Sequence, residues 1–395
     1  MGPSNKSIAI VGGGIAGITT AYFLSKKYKV RLYDHNGIAE QCSYANGGQL
    51  SVCNAEVWNT YENIAKGIKW LTQPDAPLAF RPDVWSWQKI KWIAGFVGAT
   101  LKNRYEHNTR KTIEYSLRSR KLMKKLMKET GIEFHHNDCG ILHIYRNKQS
   151  WDKAQKTLER FKDTGWGRVK TNINNLIKYN IKGNDVIGAT LTKGDSVGDI
   201  HAFCKNLCTH MMKDSKYDFS IRVNKIVPTR EIKFLSGKRD MALSLDDLKK
   251  EYDEIIVCAG AYTPALVPVN VYPIKGYSIT YDNAYEGPNI SVLDDERKIV
   301  ASPFANNMFR VAGTAELAEW NHDIRQDRIK PLADWVEQNT FIKRDNYNEW
   351  ACLRPMTPDM IPIIRKIKGV WVNTGAGHLG WTMGMALAEK ITKDI

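Results

Sequence analysis

The chain lacks any run of about 18 apolar residues, so the sequence predicts no transmembrane helix. Its seven cysteines include no C-x-x-C pair, which argues against a zinc site and a disulfide framework. The first strand begins so early that no signal peptide is expected, and the scattered cysteines favour a reducing cytoplasm. With 395 residues, 43% of them hydrophobic and 25% charged, the composition is that of a globular protein with room for two domains.

Acidic residues are fewer than basic ones, and the formal net charge is +15. Such a charge is compatible with nucleic acid, anionic lipid or acidic metabolites as partners. No nucleic-acid-binding module is visible in the sequence. We therefore expect no nucleic acid partner, and surface lysines are the preferred interpretation of most of the charge.

The N-terminal stretch 7–34 carries the strongest motif. A short apolar strand leads into Gly12, Gly14 and Gly17, spaced as G-x-G-x-x-G, and an apolar-periodic helix follows. A second strand ends at Asp34, 22 residues after Gly12. In dinucleotide-binding folds the glycines allow a sharp turn, a close approach of backbone to pyrophosphate and tight helix packing, while the acid binds ribose hydroxyls. The whole pattern predicts a dinucleotide site at this helix N-terminus.

The C-terminal part repeats this arrangement, because an apolar strand at 369–373 is followed by a Gly-rich loop and a helix. A central strand at 253–260 ends in Ala259-Gly260, which lets it approach a ligand. Short alternating strands between 272 and 313 indicate an antiparallel sheet. We predict a discontinuous cofactor domain of residues 1–55, 195–270 and 350–395, with a substrate domain of residues 56–194 and 271–349.

The region from 57 to 101 is rich in tryptophan and lysine, and its prolines split it into two helical pieces. Aromatic residues beside lysines suit a membrane interface. They suit a lid or the core of a second domain equally well.

Several segments resemble the FAD-dependent D-amino acid oxidase superfamily, and within it the small subunits of bacterial D-amino acid dehydrogenases. They are SIAIVGGGIAG near the start, YANGGQLS at 44–51, IIVCAGAYTP in the middle, YPIKGYSIT at 272–280, RVAGTAEL at 310–317, LRPMTPD at 353–359 and NTGAGHLGWTMG at 373–384. The resemblance covers nearly the whole chain. It implies an α/β fold, α+β overall, with a Rossmann-like FAD-binding domain of the glutathione-reductase type and an inserted antiparallel-sheet substrate domain.

The resemblance also implies which residues contact FAD. The expected residues are Gly12, Gly14, Ile15, Ala16, Gly17, Asp34, His35, Ser43, Asn46, Gly48, Gln49, Leu50, Val223, Ala259, Gly260, Gly375, Gly377, His378, Leu379, Gly380 and Thr382. A helix N-terminus beside the flavin N1–C2=O edge would stabilise the negative charge of reduced flavin. His378 either adds to this stabilisation or is structural, and the sequence leaves both open.

The activity implied by the resemblance is oxidative deamination of a D-amino acid, with hydride transfer from Cα to flavin N5 and release of a 2-oxo acid and ammonia. Arg354 is expected to bind the substrate carboxylate, with an ion pair to Asp359 as the structural alternative. Tyr277 is expected to line the site, although packing is the commoner role of a tyrosine in such a strand. Electrons are expected to pass to a quinone or another acceptor, with peripheral attachment to the inner membrane as an alternative to a purely cytoplasmic location.

Three other interpretations remain at this stage. The same fold could serve glycine, sarcosine, D-proline or hydroxyproline as the amine substrate. The chain could be a flavoprotein without catalytic activity. An NAD-dependent dehydrogenase is disfavoured, because it leaves the C-terminal Gly-rich loop without a role. Covalent attachment of FAD through Cys42 or Cys53 is also left open.

Overall fold

Two sheets, each covered by helices, organise the protein. The computed structural model describes residues 6–70, 76–80, 85–183, 185–222, 225–226, 242–343 and 346–395. The helices are α1 (Ile15–Leu24), α2 (Tyr61–Trp70), α3 (Trp87–Leu101), α4 (Tyr105–Thr130), α5 (Lys148–Phe161), α6 (Ile200–Lys213), α7 (Leu245–Glu251), α8 (Thr263–Leu266), α9 (Gln326–Asn339) and α10 (Gly380–Asp394).

The strands follow the chain from end to end. They are β1 (Ser7–Val11), β2 (Lys29–Tyr33), β3 (Gln49–Leu50), β4 (Leu78–Phe80), β5 (Ile141–Tyr145), β6 (Val169–Thr171), β7 (Gly188–Thr192), β8 (Ser196–Val197), β9 (Phe219–Arg222), β10 (Lys225–Ile226), β11 (Ala242–Leu243), β12 (Glu254–Val257), β13 (Tyr272–Tyr281), β14 (Ser291–Asp294), β15 (Ile299–Pro303), β16 (Phe309–Leu317), β17 (Asn348–Met356), β18 (Ile363–Ile367) and β19 (Val370–Thr374).

The smaller sheet has the strand order β18-β19-β12-β1-β2-β9. Its pairs are parallel except β18 with β19. Ile8 and Ile10 of β1 pack into the core beside α1, α6 and α10, and Ala9 and Val11 pack into a second core on the other face. Burial on both faces explains why residues 8–11 of this strand are all apolar. Both chain ends and the chain middle contribute strands, as the sequence indicated.

Within the described part of the chain the larger sheet has nine strands, in the order β17-β13-β16-β15-β14-β5-β7-β6 with β4 beside β16. Most pairs are antiparallel, but β14 with β5 and β16 with β4 are parallel, so the sheet is mixed rather than purely antiparallel. Helix α9 covers one face, where Trp335 packs in a core with Ile279 and Tyr281. Strand β17 pairs along its whole length with β13. The predicted domain boundary at residue 350 therefore falls inside a strand of this sheet.

Helices α2 and α3 and strand β4 occupy the tryptophan-rich region. α2 has no buried residue, whereas Trp92 of α3 is buried and its indole nitrogen donates to Met356 O at 2.8 Å. Within the described ranges no helix is long and apolar enough to span a bilayer.

Candidate active site

A cavity of about 1240 Å³ lies between the two sheets. This volume exceeds the ~300–1,000 Å³ of ordinary small-molecule pockets. Eighteen of the residues singled out from the sequence line it: Gly12, Gly14, Ile15, Ala16, Asp34, His35, Ser43, Asn46, Gly48, Gln49, Ala259, Gly260, Tyr277, Arg354, Gly375, Gly377, His378 and Gly380. The cavity is thus long enough to run from the N-terminal glycine turn to the C-terminal Gly-rich loop.

The three glycines of the N-terminal turn have different surroundings. A Cβ on Gly12 would lie 2.4 Å from Cys258 O, and one on Gly17 would lie 1.8 Å from Gly12 O. A Cβ on Gly14 would meet only Ser43 Oγ, at an ordinary 3.4 Å. Gly12 and Gly17 are therefore required by the packing of strand, turn and helix, whereas Gly14 keeps a wall of the cavity free of side-chain atoms.

The Asp34 carboxylate is held by backbone N–H groups of the same turn and of the loop that follows β2. Its Oδ2 accepts from Gly13 N at 2.6 Å, and its Oδ1 accepts from Asn36 N at 2.8 Å and from Gly37 N at 3.1 Å. The carboxylate is thereby fixed at the cavity wall beside the N-terminus of α1. This is the position at which an acid accepts hydrogen bonds from a ribose.

Side chains of the larger sheet hold the segment 43–49 in place. Ser278 Oγ donates to Ala45 O at 2.7 Å, Arg310 donates to Asn46 O at 3.1 Å, and Ser302 Oγ donates to Gly47 O at 2.6 Å. Three consecutive carbonyls thus point at the sheet. We did not identify these three side chains from the sequence, because a serine or an arginine in a strand carries no local sign of its partner.

Four of the expected cofactor residues lie behind the cavity wall. Gly17 packs against the turn, and Leu50 and Leu379 pack into apolar cores. Thr382 Oγ1 accepts from Ser51 N at 3.0 Å and so joins α10 to the segment after β3. Val223 is outside the described residues. Each of these four residues directly follows a residue that lines the cavity, namely Ala16, Gln49, His378 and Trp381.

Arg354 lies on β17 with its guanidinium against Gly276, where a Cβ would be 2.2 Å from Nη2. Its hydrogen bonds are long: Nη1 to Thr314 O and Nη2 to Gly313 O, both at 3.4 Å. Asp359, the alternative partner, accepts from a backbone N–H, and no described carboxylate forms an ion pair with Arg354. A guanidinium in a cavity with weak neutral partners is ready to bind a ligand carboxylate through two parallel N–H bonds.

Tyr277 lines the cavity, but its hydroxyl is engaged within the larger sheet. Its hydroxyl donates to Glu316 Oε2 at 2.5 Å. Glu316 is buried and also pairs with Lys275 at 3.3 Å and with Arg325 at 2.7 Å. The phenol is therefore committed to a network within the larger sheet, and only the rest of the residue contributes to the cavity wall. The hydroxyl therefore has a structural role, which is the commoner role of a tyrosine in such a strand.

His378 stacks on Trp58, with ring centroids 4.5 Å apart. Its Nε2 lies 3.3 Å from Asn54 O, so Nε2 carries the proton and donates. Burial, together with the charge of Arg354, lowers the pKa of His378 to about 4. The imidazole is consequently neutral at physiological pH, and it presents a flat, uncharged surface to the cavity.

The lowered pKa of His378 predicts a pH dependence of stability. In the unfolded chain a histidine has a pKa of about 6.5, so the unfolded state takes up the proton first and the free energy of unfolding falls as pH drops from about 6.5 to about 4. Between pH 7 and pH 5 this group should account for about 1–2 kcal/mol. The free energy of unfolding can be measured by urea denaturation at both pH values for the wild type and for His378→Gln. It should fall less from pH 7 to pH 5 in the variant than in the wild type. Equal losses would mean that His378 titrates normally.

The comparisons with known proteins agree with this geometry. The model of the FAD dependent oxidoreductase family, DAO, matches residues 7–393, and the chain belongs to this family. The structure is similar to glycine oxidase from Bacillus cereus, with a TM-score of 0.69, 15% identity and coverage of 98% of this chain and 96% of the other. It is also similar to an FAD-bound L-alpha-glycerophosphate oxidase from Mycoplasma pneumoniae, with a TM-score of 0.67, 16% identity and coverage of 99% and 94%.

Relatives of higher identity are named D-amino acid dehydrogenases. One from Mesorhizobium japonicum, D-amino acid dehydrogenase 3, is 38% identical over 98% of this chain and 97% of its own length. One from Dechloromonas aromatica is 30% identical over 98% of this chain and 96% of its own length. The protein is an FAD-dependent oxidoreductase with the expected α/β fold, and the resemblance stated from the sequence is confirmed.

Proposed function

We propose that this enzyme oxidises the Cα–N bond of D-amino acids and yields a 2-oxo acid and ammonia. The observation that carries the proposal is Arg354, a cavity-lining guanidinium without a described carboxylate partner. An amino acid supplies the missing carboxylate. The names of the relatives support the D configuration. FAD, when bound, supplies the hydride acceptor.

The residues around Gly14 fit the pyrophosphate of FAD. The open side of Gly14 leaves space for phosphate oxygens, and the N-terminus of α1 adds N–H donors and a favourable dipole. Asp34 is placed for the adenosine ribose. At the other end of the cavity the N-terminus of α10, preceded by Gly375 and Gly377, favours negative charge and would assist reduction of the flavin.

The protein's contribution to the reaction is mainly orientation. Arg354 fixes the substrate by its carboxylate, which limits rotation of Cα relative to the flavin. Neutral His378 and Trp58 form an apolar stack in the same cavity, so that the amino acid side chain meets no charged imidazole. Positioning of this kind is worth several kcal/mol of a reaction barrier.

A substrate panel with a redox dye tests the proposal. D-alanine, L-alanine, glycine, sarcosine and D-proline would be compared by kcat/KM on the FAD-loaded enzyme. The D-amino acid is expected to exceed its L enantiomer by at least 100-fold. Activity confined to glycine, sarcosine or another N-methylated amine would replace D-amino acid oxidation with another amine oxidation on the same fold.

For the electron acceptor we propose a quinone reached from a membrane surface. The surface formed by α2, α3 and residues 85–86, here called the aromatic surface, exposes Trp87 by 77%, Ile68 by 64% and Trp85 by 61%. Lys66 and Trp70 of α2 line the same cavity as Arg354. Exposed aromatic residues beside lysines are typical of proteins that lie on a bilayer.

Membrane binding would be measured by sedimentation with anionic vesicles at increasing salt. Each lysine near such a surface contributes about 1 kcal/mol and is screened by salt, so binding should weaken as salt rises. Ile68→Ser should bind more weakly than Ile177→Ser, a matched control because Ile177 is 61% exposed and lies outside the aromatic surface. No sedimentation at low salt, or equal losses in both variants, would assign the aromatic surface to another role.

A further inference from the structure

Two cysteines from distant parts of the chain meet on the wall of the active-site cavity. Cys42 lies in the loop before the segment 43–49, and Cys352 lies on β17; both line the cavity. Cys42 Sγ donates to Leu353 O at 2.8 Å, one residue from Cys352, and the two thiols are close enough to shift each other's pKa. Both are free thiols, and the proposed reaction uses neither of them.

The two sulfurs differ in character. The contact with Cys42 lowers the pKa of Cys352 against the effect of burial, and the positive charge of Arg354 acts in the same direction as that contact. The same contact, together with burial, raises the pKa of Cys42. Cys352 is therefore the sulfur that more readily becomes a thiolate and attacks an oxidant, and Cys42 is the partner that can resolve the product.

The pair is placed where a covalent bond would affect substrate binding. Cys352 and Arg354 are two residues apart on one strand, so they face the same side. Cys352 is directly opposite Gly276 in the sheet register, and the Arg354 guanidinium lies against Gly276. Cys42 adjoins Ser43, whose Oγ accepts from Ile15 N at 3.1 Å at the start of α1. A bond between the thiols would connect the cofactor-binding turn to the strand of the carboxylate anchor.

We propose that Cys42 and Cys352 form a reversible disulfide that lowers the affinity of the enzyme for substrate carboxylates. The oxidant is a peroxide. The Cys352 thiolate attacks one peroxide oxygen, an S–O bond forms, the O–O bond breaks, and the released hydroxide takes up a proton to become water. Cys42 then attacks the sulfenic sulfur, an S–S bond forms, the S–O bond breaks, and a second water leaves. Two electrons pass from the thiols to the peroxide, and a dithiol reductant returns them.

The loss of affinity has a geometric reason. A disulfide holds its sulfurs at ~2.05 Å, much closer than two unbonded thiols can approach. Cys352 must move toward Cys42, and Cys42 must give up its bond to Leu353 O. Both movements displace the part of β17 that carries Arg354, whose own hydrogen bonds to Gly313 and Thr314 are long and weak.

The test uses FAD-loaded wild type, Cys42→Ser, Cys352→Ser and the control Cys139→Ser, whose half-buried thiol lies outside the cavity. Each protein is treated with hydrogen peroxide, alkylated and digested, and its peptides are identified by mass spectrometry. Propionate, the deaminated analogue of D-alanine, serves as the carboxylate probe, and its Kd is measured from the flavin spectrum. Because the affinity part rests on the proposed function, the bridged peptide is scored separately, without reference to activity.

Wild type and Cys139→Ser should yield a peptide pair bridged between residues 42 and 352, and their Kd for propionate should rise at least fivefold and return after dithiothreitol. Cys42→Ser should stop at a sulfenic acid on Cys352, and neither cavity variant should form the bridge. Absence of the bridge, a flavin mass on either cysteine, or a bridge without a change in Kd would overturn the inference. Failure of the reduced enzyme to bind propionate would count against the carboxylate site itself, even with the bridge present.

Discussion

Replacing Arg354 with methionine should leave the protein folded and loaded with FAD, and should lower kcat/KM for D-alanine by about 100-fold or more. Removing one partner of a buried charge pair costs roughly 3 kcal/mol, and each 1.36 kcal/mol is a factor of ten in rate. Both kcat and KM should suffer, because the same contact binds the carboxylate and orients Cα. Steady-state kinetics on variants with a normal flavin content measure the effect.

The specificity of the Arg354 effect is checked with D-alaninamide, which lacks the carboxylate. The methionine variant should lose little activity toward the amide, so the two substrates should become nearly equal. Arg354→Lys should recover only part of the activity, since an ammonium cannot form two parallel N–H bonds. An equal penalty on both substrates, or none on either, would mean that Arg354 does not hold the carboxylate.

The second large effect is expected at Gly14. Gly14→Val should abolish retention of FAD, because the branched side chain would occupy the space left for the pyrophosphate. The backbone at Gly14 has φ −75° and ψ −174°, an extended conformation that valine adopts readily. The flavin-to-protein ratio after gel filtration should fall to near zero while the FAD-free protein keeps its melting temperature.

Gly17→Ala provides the contrast to Gly14→Val. Its Cβ would lie 1.8 Å from Gly12 O, so the turn itself must move and the FAD-free protein should melt at a lower temperature. A Gly14→Val protein that keeps its flavin would remove the assignment of this turn to the pyrophosphate. A Gly14→Val protein that melts as early as Gly17→Ala would mean that Gly14 is required by the fold rather than by the cofactor.

The ends of the chain were the most predictable part, because their signals are local. A buried strand, a glycine turn and an amphipathic helix are each encoded by neighbouring residues, and the smaller sheet contains both predicted units. Arg354 was predicted from the resemblance of its motif, and the structure gives it a cavity position without a described carboxylate partner.

The features that the sequence could not predict are contacts between residues far apart in the chain. The alternating pattern of β13 could not predict that the Tyr277 hydroxyl binds Glu316, because Glu316 belongs to the partner strand β16. The predicted cofactor domain resumes at residue 350, which lies inside β17, and the hydrogen bonds of this strand go to β13. The contacts of Ser278, Ser302 and Arg310 with the segment 43–49 likewise exist only in the folded chain.

Anaerobic titration of the purified protein with D-alanine and L-alanine tests the central claim most directly. The visible absorbance of bound flavin should be bleached by D-alanine, with pyruvate and ammonia formed in equal amounts to the flavin reduced, and should persist with L-alanine. Full return of the absorbance on addition of a quinone would identify the class of acceptor. A flavin that neither enantiomer reduces, or that L-alanine reduces as fast, would contradict the account.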